Sequence, residues 1–327
     1  MVVVINTACR NNTTQKRFRM RIANLLFALL PLLLWECGNT IQDLPGEGTV
    51  KSISFTLSSF GDPENQFKTK TSLADDGSIL WAEHDTVGIY PNTRGQVYFS
   101  IEGESGSNYA RFDGGGWAFK PSSTYYSYYP FIGKIYLNRN RIPVSYLGQK
   151  QIGITSTAHI GHYDFMYTSG TQVESESINF NYSHLNCVIG FILRLPAGTY
   201  TNLTITAPTE VFPIAGYYDL MSDHPVIIPT QYSDHLSIEL EGVTVDDQQQ
   251  FIVYLMSAPV NLNGVGVVVS VLNGEKTELR CNKTPSREYL AQMKYTLTCT
   301  SWTEVPQSMS MSIQGWDVDG NLNGTAQ

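Results

Sequence analysis

Ile79-Leu-Trp81-Ala-Glu-His84-Asp-Thr-Val87-Gly-Ile89-Tyr90, closed by Pro91, is the stretch whose reading decides the fold. Val87 and Ile89 alternate with Thr86, Gly88 and Tyr90, the period-two signature of a strand with its apolar side chains on one face. Asp75-Asp76-Gly77 before it and Pro91-Asn92 after it are turn formers that bracket the run. The pattern predicts a half-buried strand with Val87 and Ile89 in a core. Nothing in it is arranged for catalysis.

The same grammar extends in both directions. Ile53, Phe55 and Leu57 alternate upstream; Val97, Phe99 and Ile101 alternate downstream, followed by Ala110-Arg111-Phe112 and the aromatic run from Thr124 to Phe131. Ile178 to His184 alternates cleanly, and Cys187 to Leu195 is continuously apolar, as a central strand is. Leu203 to Ala207, Phe212 to Leu220, Leu236 to Leu240, Phe251 to Met256, Val265 to Leu272, Tyr295 to Cys299 and Met309 to Ile313 complete the set. Asn273-Gly274 is a strong hairpin signal. Arg139, Arg141 and Pro143 read as an exposed, irregular connection, His159 to Tyr167 as an apolar strand block, and Ser286 to Met293 as a short helix. Many short strands separated by turns predict an all-β protein.

The chain has 327 residues, enough for two ordinary domains. The polar run Thr168 to Ser177 marks the boundary between them. Charged residues make up 15%, while 19 Tyr and 27 Gly suit an extracellular β protein better than a cytosolic helical one. A formal net charge of −8 repels phosphate backbones, which excludes nucleic acid as the expected partner.

Lys16, Arg17, Arg19 and Arg21 precede an apolar run from Ile22 to Trp35, and Cys37 follows. This is a secretion signal, shorter than the roughly 20 residues a spanning helix needs. A Cys directly after the apolar core resembles the lipobox of bacterial lipoproteins. Leu34 fits that pattern, whereas Glu36 stands where a small residue is usual. The resemblance implies acylation of Cys37 and a lipid anchor in the outer membrane. Residues 38–48 read as a flexible tether.

Few residues are spaced for chemistry. His159, His162 and Asp164 are too sparse for a metal site, since strand residues three apart point to opposite faces. Asp317 to Asn323 mimics the start of a calcium loop, but Leu322 occupies the position that needs Gly. No nucleophile elbow or dinucleotide fingerprint is present, so neither an enzyme nor a cofactor is expected. Cys187 reads as a small buried hydrophobe. Cys281 and Cys299 lie on two candidate strands, and whether they pair is left open. His184, on an alternating strand, reads as a satisfied core or edge histidine. Tyr125, Tyr126, Tyr128 and Tyr129 put aromatics on both faces of one strand; the outer set is the candidate recognition surface for a host protein or glycan.

Taken in order, the Trp81–Tyr90 block with its Trp-x-x-x-Asp-x-Val-Gly-Ile-Tyr pattern, the Ala110–Pro130 block, Tyr163-Asp-Phe-Met-Tyr167, the Ile178–Phe191 block and Ile313-Gln-Gly-Trp316 resemble the fimbrillin-like proteins of Bacteroides and related bacteria, subunits of the type V pilus. The resemblance implies two transthyretin-like β-sandwich domains in tandem, over residues 49–172 and 173–327, on a lipoprotein exported to the cell surface. It also implies assembly with other pilus subunits by donor-strand exchange, the strand around Ile53 to Leu57 being the one removed. The family's processing protease is expected to cut after Arg. None lies between Cys37 and Arg94, so either Lys51, Lys68 or Lys70 serves as the processing site or the subunit is not processed. His84 stands where the family pattern favours a turn Gly, which predicts positive φ there. The alternative is a surface glycan-binding lipoprotein module that is not built into a filament.

Overall fold

The computed structural model describes residues 52–61, 80–91, 95–103, 105–114, 119–120, 123–133, 137–154, 156–173 and 177–305. Cys37, Lys51, Lys68, Lys70, the tether, the expected last strand and the calcium-like tail lie outside the described residues. Strands β1 (Ser52–Leu57), β2 (Thr86–Pro91), β3 (Val97–Glu102), β4 (Tyr109–Asp113) and β5 (Thr124–Tyr129) come first. Next are β6 (Ile142–Ser145), β7 (Gln149–Ile152), one helical turn α1 (Ile160–Tyr163), β8 (Met166–Tyr167) and β9 (Thr171–Gln172). Then follow β10 (Ser177–His184), β11 (Cys187–Arg194), β12 (Gly198–Thr206), β13 (Phe212–Tyr218), β14 (Ile228–Ser233), β15 (His235–Val245) and β16 (Gln250–Ser257). The last are β17 (Val260–Asn261), β18 (Val267–Asn273), β19 (Glu278–Lys283), β20 (Glu288–Tyr289), β21 (Lys294–Cys299) and β22 (Thr303–Val305). The all-β expectation holds.

The first sheet runs β2-β3-β4-β1-β10-β8-β5-β9, and a further β2–β5 pairing closes it on itself. Closure removes the free edges that an open sheet would expose. β1 lies antiparallel to β4 and parallel to β10, so it is hydrogen-bonded on both sides. The stretch that decided the fold lies in this sheet, with Val87 and Ile89 fully buried. It is not half-buried, however, because both of its faces are covered. Tyr90 is buried as well, and a Cβ built on Gly88 would lie 2.1 Å from the Tyr128 ring, so only glycine lets that ring lie flat on the backbone.

The second half builds a six-stranded sheet, β22-β19-β18-β12-β15-β7, two three-stranded sheets, β16-β11-β21 and β14-β13-β6, and the two-stranded β17-β20. β11 is buried along its length up to Arg194, as its unbroken apolar run requires. Asn273 closes the β18–β19 hairpin by accepting from the Thr277 backbone N–H at 2.7 Å.

Three elements depart from expectation. The supposed irregular connection contains β6 and β7; β7 is missed because its inward residues are Gln149 and Gln151, not apolar ones. Their side-chain amides bond the backbone of β16: Gln149 gives to the Met256 carbonyl at 2.7 Å and takes from the Met256 N–H at 2.8 Å, and Gln151 does the same with Ile252 and Tyr254 at 3.1 Å each. His159 to Tyr167 is a helical turn followed by a two-residue strand. Ser286 to Met293 is no helix but the short β20 and a turn.

Pairing also runs across residue 172. β10, from beyond that point, belongs to the first sheet, while β6 and β7, from before it, pair with β13 and β15. The polar run does not behave as a linker either. Thr168 is buried, its hydroxyl accepting from the Ser127 N–H at 3.0 Å and its own N–H donating to the Ser127 carbonyl at 2.8 Å.

Candidate functional site: the slot of the first strand

β1 is short, alternating and deeply set. Phe55 has no exposed surface, and its ring packs 4.5 Å from Phe112 and 5.1 Å from Phe180 between centroids. Leu57 is buried beside it, and the Phe55 carbonyl accepts from the Trp81 indole at 3.3 Å. Beyond the strand, Leu57 N–H donates to the Asn108 carbonyl at 2.8 Å and Ser58 N–H to that of Tyr182 at 3.3 Å. Ser54 Oγ donates to Asn179 Oδ1 at 2.8 Å. The segment then crosses to the second half, where Gly61 exchanges backbone bonds with Gln292 and Lys294, each at 2.8 Å. A Cβ on Gly61 would meet Met293 Sδ at 2.7 Å.

A buried polar group clamps the end of the strand. His184 Nε2 donates to the Ser58 carbonyl at 2.8 Å, and Nδ1 donates to Asp164 Oδ1 at 2.8 Å, both side chains being wholly enclosed. Asn186 Nδ2 donates to the same carboxylate oxygen at 3.1 Å, and Tyr146 donates to Asn186. Phe60 stacks on the imidazole at 3.9 Å. Burial disfavours a charged imidazole here, but the Asp164 carboxylate and the Ser58 carbonyl outweigh it and hold His184 above the ordinary histidine value. His184 is thus the satisfied core histidine expected from its strand. Its partner is not legible in the sequence: Asp164 lies twenty residues upstream, beyond β8, where its neighbours in sequence are His159 and His162.

That grouping dissolves. His159 is buried with Nε2 on the Tyr254 carbonyl at 2.8 Å, and burial lowers its pKa; His162 faces solvent and Asp164 turns to His184. The Tyr surface is corrected too. Tyr125, Tyr128 and Tyr129 are buried and Tyr126 is half-buried, because β5 lies inside the closed sheet with β2 on one side and β8 and β9 on the other. The Tyr125 hydroxyl accepts from the Lys120 N–H at 2.7 Å, and Tyr129 donates to Asp85 Oδ1 at 2.8 Å. Three of these rings are core, and Tyr126 packs against it with part of its surface exposed, so the strand does not present a four-Tyr face. His84, by contrast, has φ of 72°, the positive angle that the Gly of the family pattern predicts.

A candidate cell adhesion protein from Bacteroides uniformis superposes with a TM-score of 0.51 at 14% identity, covering 80% of this chain and 98% of that one. This chain has the same fold. A second candidate cell adhesion protein, from Bacteroides ovatus, matches with a TM-score of 0.50 at 13% identity over 78% of this chain and 95% of its own. No family model and no curated protein sequence matches the chain.

Proposed function

We propose that the chain is a non-enzymatic structural and adhesive component of a cell-surface fimbria, and that the place held by β1 is where a neighbouring subunit adds its strand. The observation that carries this reading is the setting of β1. It is a stave of a closed sheet, bonded to β4 and β10, with Phe55 and Leu57 filling the space between them. Taking it out leaves two unpaired edges and a row of apolar vacancies, which is what an incoming strand satisfies with backbone bonds and alternate side chains. The shared fold with cell adhesion proteins and the fimbrillin-like sequence blocks support the same reading. Export with a lipid at Cys37 would place the chain at the outer membrane, and Lys68 and Lys70, which follow β1 and precede β2, are the basic residues where a cut would release β1.

A protease site inserted within residues 62–79 of the full chain, then cleaved, leaves β1 held without a covalent link to β2. A fluorescent peptide of residues 49–60 should then replace it, and the same peptide carrying Phe55→Asp should not. If neither peptide enters, the slot reading fails. Electron microscopy of cells with and without the protein tests the filament role, with missing or shortened filaments expected and unchanged filaments contradicting it.

A further inference from the structure

The seat of the first strand extends beyond β1. Phe55 and Leu57 are buried two apart, and a continued alternation would bury Ser59 next. Ser59 is exposed instead and Phe60 is buried, so the inward side changes between Leu57 and Phe60. From Ser58 onward the chain also has different neighbours. The Ser58 carbonyl accepts from His184 Nε2 at 2.8 Å, and the Phe60 ring lies on the same imidazole at 3.9 Å with 23° between the planes. Gly61 then pairs parallel with Met293, its N–H donating to the Gln292 carbonyl and its carbonyl accepting from the Lys294 N–H. This wall is itself tied to the start of β11, by the Gln292 N–H on the Asn186 carbonyl at 2.7 Å and the Val188 N–H on the Met293 carbonyl at 3.0 Å. Residues 58–61 thus occupy a place built by His184 and residues 292–294, whereas β1 lies between β4 and β10 in the first sheet.

We propose that this second section selects the strand the slot accepts: a neighbouring subunit's strand must carry, beyond its alternating apolar residues, an aromatic side chain in the place of Phe60 and a small residue in the place of Gly61. The inference rests on the strand-addition reading above and defines the partner of that same site. A cut at Lys68 or Lys70 frees residues 58–61 together with β1, so both sections fall vacant at once. An incoming strand that matched only Phe55 and Leu57 would leave the buried His184 imidazole without its covering ring and would forgo the backbone bonds to Gln292 and Lys294. An aromatic side chain restores the stack, which an aliphatic one of similar volume does not. The next residue is small because a Cβ at Gly61 would stand 2.7 Å from Met293 Sδ and 3.3 Å from its Cε, so the Met293 side chain would have to turn aside. Register follows as well. Alternation alone is satisfied by any shift of two residues, whereas the odd step from Leu57 to Phe60 is met in one alignment only. The slot joins the incoming strand to the first sheet, and the aromatic–small pair fastens it to the second half.

The test uses the full chain cleaved within residues 62–79 and fluorescent peptides of residues 49–61 that compete for the place of β1 and residues 58–61. The parent peptide and a control at the exposed position, Ser59→Ala, should enter equally well. Phe60→Ala should bind on the order of 100-fold more weakly, and Phe60→Leu about 3- to 10-fold more weakly, the second loss being that of the ring stack. Gly61→Val should bind on the order of tenfold more weakly. A Met293→Ala chain should recover most of the Gly61→Val loss and leave the Phe60→Ala deficit in place. Equal entry of the parent, Phe60→Ala and Gly61→Val peptides overturns the inference and leaves the slot reading standing. A Phe60→Leu peptide as good as the parent refutes the aromatic requirement, and a Gly61→Val deficit untouched by Met293→Ala refutes the small-residue requirement. If no peptide enters, the parent included, the slot reading fails and the inference falls with it.

Discussion

His184 shows how hydrogen-bond partners can define a charge state. Nδ1 meets a carboxylate and Nε2 meets a carbonyl, and neither has a proton to give, so the ring carries both of its own. The folded chain holds that proton more tightly than the unfolded one, because the pKa is raised on folding. The pair's contribution is therefore complete below the ordinary histidine value of about 6.5 and is lost as pH rises through the higher folded value. Urea unfolding of the native chain should show stability falling from near neutrality upward, a fall that His184→Gln removes. The same variant should cost roughly 3 kcal/mol at pH 6, because it leaves the Asp164 carboxylate buried without its counter-charge. Parallel pH profiles for the two proteins would reject the charged assignment. His84 is a second residue-scale case. Its side chain is exposed, with Nε2 3.7 Å from Glu83 Oε1, while its backbone is left-handed. His84→Gly should raise stability by up to about 1 kcal/mol, and His84→Val should lower it by a similar amount, since a β-branched side chain tolerates that angle least. Thermal unfolding of the two variants measures the difference.

Elements differ in how plainly the sequence announces them. β1, β2, β10 and β11 could be read from periodicity because their buried partners are apolar side chains and the pattern sits within a few residues. β7 could not, since Gln-Lys-Gln-Ile has an inward face made of amides. Those amides do the work of a missing strand, capping the backbone of β16 where the two sheets come together. Gln151→Leu keeps much of the volume but leaves the Tyr254 N–H and the Ile252 carbonyl without their bonds. Each orphaned buried group costs about 1–3 kcal/mol, so the variant should lose roughly 2–4 kcal/mol. Hydrogen exchange should also speed up at Tyr254, whose amide loses its partner, and not at Val269 in the middle of β18. A variant as stable as the parent would mean that water replaces the amide without cost. The Tyr run on β5 failed for the opposite reason. Its residues form the strand that their pattern predicts, but whether a second face is exposed depends on strands far away in the chain, which no local pattern encodes.

For the whole molecule the same limit applies to the boundary at residue 172. Thr168 to Ser177 looks like a linker because it lacks apolar residues, and composition is all that a sequence offers there. The pairing instead interlocks the two halves. β1 draws β10 into the first sheet, β6 and β7 are given to the sheets of the second half, and Gly61 reaches across to Lys294. Each exchange is non-local, and each leaves an unpaired edge if the chain is cut. A fragment of residues 49–172 would lack β10, which supplies one side of the β1 slot and buries Phe180 and Tyr182 against Phe55. A fragment of residues 173–327 would lack the glutamine amides over β16 and would carry β10 as an apolar strand with nothing to cover it. Neither fragment should fold alone, and the intact chain should unfold in one transition with coincident fluorescence and circular dichroism curves. Expressing the two fragments separately and together measures this directly: dispersed amide proton spectra are expected only from the mixture. A folded isolated half would show that the shared strands are decoration on two independent domains, not the bond between them.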